Sequence, residues 1–128
     1  MHLADSDTQG AFRIRKAWSE SGADLPGFDE GLWTSQMNHQ SASVEEREAS
    51  LIAFAALRAI TAPLFRRATP SDFVERGGKH PVYGRLALRN LLELYDDHGE
   101  RHIAQILEIR RRLGKRLEYP LLLPTRLY

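Results

Sequence analysis

The sequence predicts an all-α protein, an up-down helix bundle. Apolar residues recur at steps of three and four through three long segments, the period of a helix face. A capping-box spacing and two glycines mark helix boundaries. No stretch alternates apolar and polar residues as a half-buried strand would.

The first element spans 2–21. Leu3, Gly10, Ile14 and either Ala17 or Trp18 fall at helical spacing, and His2, Ser6, Gln9 and Arg13 form a neighbouring polar stripe. Gly22 supplies the stop. The connection 22–42 is rich in turn formers, with Phe28, Leu32 and Trp33 expected to form a short helical turn that caps the core. Ser43 and Glu46 stand three apart, a spacing that satisfies orphan amides at a helix start. The helix they open is expected over 44–67, with Pro63 kinking it or ending it early. Its middle is apolar almost all round, which predicts burial on more than one side. The loop 69–85 carries three glycines and two prolines. The last long helix is predicted over 88–113 and stopped by Gly114. The tail 115–128 is apolar and broken by prolines, and is expected to lie extended against a surface such as a partner's.

The 128 residues suit one domain, 1–128. Eighteen Lys and Arg against 17 Asp and Glu leave a net charge of +1, so no strong field draws nucleic acid or acidic substrates. The local cluster of Arg110, Arg111, Arg112, Lys115 and Arg116 reads as a solvated helix end whose cations complement the macrodipole. The absence of cysteine excludes disulfides, thiolate metal sites and a cysteine nucleophile. Any thiol chemistry must use an external thiol. The apolar run 51–65 contains Arg58 and is too short to span a bilayer, and residues 1–10 do not read as a signal peptide. A cytoplasmic location, without membrane or nucleic-acid partners, is the expectation.

Leu88, Leu91, Tyr95, His98, His102, Ile106, Ile109 and Leu113 share one face of the last helix. His98 and His102 project from successive turns, close enough to grip one ion. The competing reading is a pair of ordinary histidines bonded to backbone or carboxylates. Two histidines make only part of a site, since zinc-type catalytic centres usually take three protein ligands and leave a position open. Gly99 follows His98, so the metalloprotease pattern HExxH is not present. His39 and His80 sit in loops and read as structural or solvated, whereas His2 opens the polar stripe of the first helix.

Three stretches carry a family resemblance. "HLADSD" at 2–7, "LPGFDEGLW" at 25–33 and "LALRNLLELYDDHGERHIAQI" at 86–106 resemble, in order and spacing, the DinB-like, damage-inducible metal-binding proteins of the YfiT-like branch. The resemblance implies a four-helix bundle that often forms homodimers. Its three metal-binding histidines fall on His2, His98 and His102. Relative to the family pattern the chain is short at its N-terminus, and the first family helix is expected to be missing. The implied activity transfers a low-molecular-weight thiol, such as bacillithiol, mycothiol or glutathione, to an electrophile through a divalent metal: Zn, Ni or Fe. Asp7 and Gln9 are candidates for orienting the site, and Arg13 for binding a substrate carboxylate. The alternatives are metal-dependent hydrolysis, with water replacing the thiol, and a truncated, non-catalytic dimeric metal-binding or interaction module.

Overall fold

A computed structural model describes residues 1–115. The tail expected to lie extended falls, from 116 onward, outside the described residues. Three long helices dominate: α1 (His2–Ser19), α3 (Val44–Arg66) and α5 (Leu88–Arg112). Two short helices, α2 (Glu30–Gln36) and α4 (Pro70–Glu75), and a 3₁₀ turn at His39–Ser41 lie between them. The chain divides into two compact units, Met1–Asp96 and a second that begins at Asp97, inside α5.

In the first unit, α1 is buried on more than one side. Ala4, Gly10, Ala11, Ile14 and Ala17 are buried, and so are Ser6, Asp7 and Arg13. The polar stripe expected along Ser6 and Arg13 is therefore not solvated. The core itself is small: Ile14, Ala17, Leu25, Leu88, Leu91 and Tyr95, flanked by Trp18, Leu64, Phe65 and Phe73.

The helix starts follow their local chemistry. In α3 the Ser43 hydroxyl accepts from the Glu46 amide while the Glu46 carboxylate accepts from the Ser43 amide. Thr69 and Asp72 repeat that box at α4, with Pro70 in the first turn, where its missing amide costs nothing. α3 runs through Pro63 to Arg66, close to the expected 44–67, and the proline does not end it early. Only three residues, less than a turn, remain beyond the proline, so one lost i→i−4 bond does not break the helix. The burial of α3 departs from the expectation. Only Thr61 of α3 is buried, and Leu51, Ile52 and Ile60 are exposed among the described residues. The all-round apolar composition therefore does not mark a helix enclosed within the described fold. At 23 residues, α3 is also long and apolar enough to cross a membrane, unlike the shorter run considered from the sequence.

The sequence showed no strands, yet Gly77–His80 and Gly84–Ala87 pair antiparallel as β1 and β2. Four-residue strands containing three glycines leave no legible alternation. Tertiary contact builds them instead. The Leu25 amide donates to Lys79 O and the Lys79 amide to Ala23 O, so 23–25 adds a third, short partner to β1. A Cβ at Gly78 would lie 2.6 Å from Leu25 Cγ and 2.7 Å from Ala23 O, so only glycine admits that approach.

β2 passes directly into α5, where Asn90 Oδ1 accepts from the Ala87 amide. Leu88, Leu91 and Tyr95 form the buried stripe. The predicted apolar face continues through half-buried His98 and His102, but Ile106, Ile109 and Leu113 are exposed. Burial thus ends where the histidines begin.

Candidate metal site

In the second unit, His98 and His102 stand one turn apart on α5. Their Nε2 atoms are 3.1 Å apart, and the rings meet edge to face with centroids at 4.6 Å. At that distance one ring can donate to the other if their tautomers differ. The same convergence suits a shared ion, because nitrogens bound at about 2.0–2.1 Å to a tetrahedral centre stand about 3.3 Å apart. Helix spacing predicted the pair, and side-chain orientation brings the two Nε2 atoms together.

His2 lies in the first unit, in the first turn of α1. It is half-buried, with Nε2 3.8 Å from Glu30 Oε2. It borders an open hollow of about 650 Å³ whose other walls include Glu30, Thr34, Ser35, Asn38 and Gln40. Hydroxyl, amide and carboxylate groups stand on its walls, although most of its lining surface is apolar.

Of the residues proposed to orient the site or bind substrate, Asp7 and Arg13 are built into the first unit. Asp7 Oδ2 accepts from Arg58 Nε at 2.9 Å, and Arg58 Nη2 donates to Tyr95 O at 3.0 Å. Burial pushes the Asp7 carboxyl above its usual range against the opposing hydrogen bond and charge of Arg58. Arg13 Nε donates to Pro26 O at 2.7 Å and Nη1 to the Tyr95 hydroxyl at 2.8 Å, with Phe28 stacked on the guanidinium. Gln9 is half-buried on α1. Beside this network, a cavity of about 120 Å³ is lined by Asp7, Arg58, Thr61, Phe65, Leu92 and Tyr95, among others.

Sequence reasoning missed the environment of His39. Its side chain is only 8% exposed, and Nε2 sits 3.1 Å from Asp5 Oδ2. The contact is close enough for an ion pair but off the hydrogen-bond direction, so neither atom is satisfied by a hydrogen bond. The pair holds the 3₁₀ turn against α1. Asp5 follows His2 by three residues and faces nearly the same way, but a partner 34 positions downstream leaves no periodic signal.

His80 closes β1. Its Nδ1 accepts from the amides of Val82 and Tyr83, which requires the neutral ring. Burial lowers its pKa below the ordinary 6.5, and the Arg13 charge adds to the effect. A depressed histidine pKa means that the unfolded chain takes up the proton first. His80's contribution to stability is therefore complete above about pH 6.5 and is lost progressively as the pH falls below it. The urea midpoint is expected to drop between pH 7.5 and pH 5, with a shallower drop in His80→Gln. Equal slopes in the two proteins would show that His80 does not contribute.

No family model matches the chain. It is 32% identical over 114 residues to YfiT of Bacillus subtilis and 30% identical over 111 residues to a protein of Oceanobacillus iheyensis, each named a putative metal-dependent hydrolase. These alignments take in 88% and 87% of this chain but 62% of each relative. The solved structure of YfiT, a four-helix bundle of unusual topology, superposes with a TM-score of 0.79 at 31% identity, covering 90% of this chain and 64% of that one. The chain therefore spans less than two thirds of the length of these relatives.

Proposed function

The chain belongs to the YfiT/DinB-like family, and from that premise we propose that it is a metal-dependent enzyme whose ion is held by His2, His98 and His102. The observation that carries the reading is the 3.1 Å convergence of the His98 and His102 Nε2 atoms on one half-buried helix face. His2 enters through the match of "HLADSD" to the family's histidine-bearing segment. The names of the relatives support a metal at such a site.

A divalent Zn, Ni or Fe ion bound there would lower the pKa of a thiol or water placed beside it, giving a nucleophile near neutral pH. Three neutral imidazoles add no negative charge, so the ion's full field stays available for that task. The chain has no cysteine, so a thiol nucleophile would have to arrive as a cosubstrate. The hollow beside His2 would hold part of a small molecule, with Thr34, Ser35, Asn38 and Gln40 offering hydrogen bonds on a mostly apolar lining.

Two reactions fit this arrangement. Transfer of a low-molecular-weight thiol to an electrophile is the reading the motifs favour, and hydrolysis is the one the relatives' names favour. The test is to load purified protein with Zn or Ni and incubate it with an electrophile panel and an ester panel, each with and without glutathione, bacillithiol or mycothiol. Thiol-dependent conjugate formation supports transfer, and thiol-independent product supports hydrolysis. Failure to retain any divalent metal would overturn both.

A further inference from the structure

The three residues around His39 divide between two surfaces. Asn38 and Gln40 line the hollow beside His2. The His39 side chain between them is turned into the fold, 8% exposed, with Nε2 3.1 Å from Asp5 Oδ2. Asn38 makes this division possible. Its φ of 50° is left-handed, the one such non-glycine residue among those described, and asparagine tolerates that region better than most residues. The Ser41 amide donates to the Asn38 carbonyl at 3.0 Å and closes the turn.

Asp5 ties this turn to the helix face that carries His2. The two stand three residues apart on α1 and are therefore neighbours on one face. At about 100° per residue, that face is turned away from Asp7 and Arg15, through which α1 bonds to Arg58 and Thr61 of α3. The Asp5–His39 contact is buried within the first unit and owes nothing to the outer face of α3. It fixes where Asn38 and Gln40 stand relative to the first turn of α1.

A mostly apolar lining holds a ligand without orienting it, and orientation comes from a few placed polar groups. Asn38 and Gln40 each offer a carbonyl acceptor and an NH₂ donor. Neither carboxamide is taken up by another of the described residues. A group that presents one donor and one acceptor side by side, an amide, pairs best with such a side chain.

We propose that Asn38 and Gln40 select the ligand of the hollow by hydrogen-bonding an amide group on it, and that Asp5 and His39 are the pair that positions them. This rests on the proposed function in taking the hollow as the place of the substrate, but the amide recognition itself needs no metal.

The experiment is isothermal titration of the full chain, with and without zinc. The probes are S-methylglutathione and S-methylbacillithiol, which carry amides and a capped thiol, and 2-(methylthio)ethanol, which has no amide. At least one amide-bearing probe should bind about tenfold or more tighter than 2-(methylthio)ethanol. Asn38→Gly, which keeps the left-handed φ, and Gln40→Ala should each weaken that probe about three- to tenfold, the worth of one hydrogen bond. His39→Ala should weaken it similarly with metal content unchanged, yet add little in the N38G/Q40A background, because it acts through those two residues. Urea midpoints verify folding, and His39→Asn takes its place if His39→Ala does not fold. The proposal is overturned if neither amide-bearing probe outbinds 2-(methylthio)ethanol, if Asn38→Gly and Gln40→Ala leave binding unchanged, or if the His39 effect adds in full. Selective binding by protein that retains no metal would sink the metal reading and leave this one standing. Retained metal without amide selectivity would do the reverse.

Discussion

His98→Ala and His102→Ala are each expected to lose bound divalent metal while the protein stays folded. Removing one imidazole takes away a ligand and the geometry that the remaining one relies on. Loss of an outer partner alone typically costs about 10–100-fold in metal affinity, so loss of a ligand should exceed about 100-fold. Elemental analysis after dialysis, and competition with a chromophoric chelator, would read the change. Folding should persist because both side chains are only half-buried and follow the fully buried part of the α5 stripe, which ends at Tyr95. His2→Ala tests the third ligand: it should weaken binding strongly if the family assignment of that residue holds. His39→Ala is the control, since its Nε2 faces Asp5 and its removal should leave metal content unchanged. The imidazoles must be neutral to bind, so affinity in the parent should also fall with acid. Undiminished metal in both α5 variants would eliminate the site.

What could be read beforehand follows from which interactions are local. The capping box at Ser43 and Glu46 needs four residues, and it forms as spelled. The His98–His102 pair needs one helical turn, and the helix alone brings the two side chains within reach of each other. The face of α5 was visible as a period, but periodicity says nothing of how far a neighbour extends, and burial stops near Tyr95. The same gap explains α3. An apolar composition all round predicts something on every side, without saying whether that is the rest of the fold. Arg13 read as a polar-stripe residue because its acceptors, Pro26 O and the Tyr95 hydroxyl, lie 13 and 82 positions away. The β1–β2 hairpin was invisible for a related reason. Gly78 is dictated by the close approach of 23–25, a tertiary contact that no window of a dozen residues contains, while Gly77 is crowded by the backbone of Leu86 and Ala87 in β2 and Gly84 takes a positive φ of 68°.

Tyr95→Ala should be among the most destabilising single changes in the first unit. Tyr95 is 5% exposed and belongs to the core cluster with Ile14 and Leu91. Its ring lies so close to α1 that a Cβ on Gly10 would stand 2.6 Å from Tyr95 Cε1, which is why the helix carries glycine there. Removing the ring opens a cavity against that glycine and costs about 3–5 kcal/mol by analogy with other aromatic truncations. The hydroxyl adds a separate term. It accepts from Arg13 Nη1, a buried cation whose other assigned bond goes to Pro26 O. Tyr95→Phe keeps the packing and deletes only that acceptor, so it should cost about 1–3 kcal/mol, the price of an unsatisfied buried donor. The bond from Arg58 to Tyr95 uses the backbone carbonyl and should survive both substitutions. The two effects can be separated by a double-mutant cycle with Arg13→Met. If the hydroxyl acts through Arg13, Tyr95→Phe should cost much less in the Arg13→Met background than in the parent. Equal costs in the two backgrounds, measured by urea unfolding at pH 7.5, would show that the hydroxyl and the guanidinium are not energetically coupled.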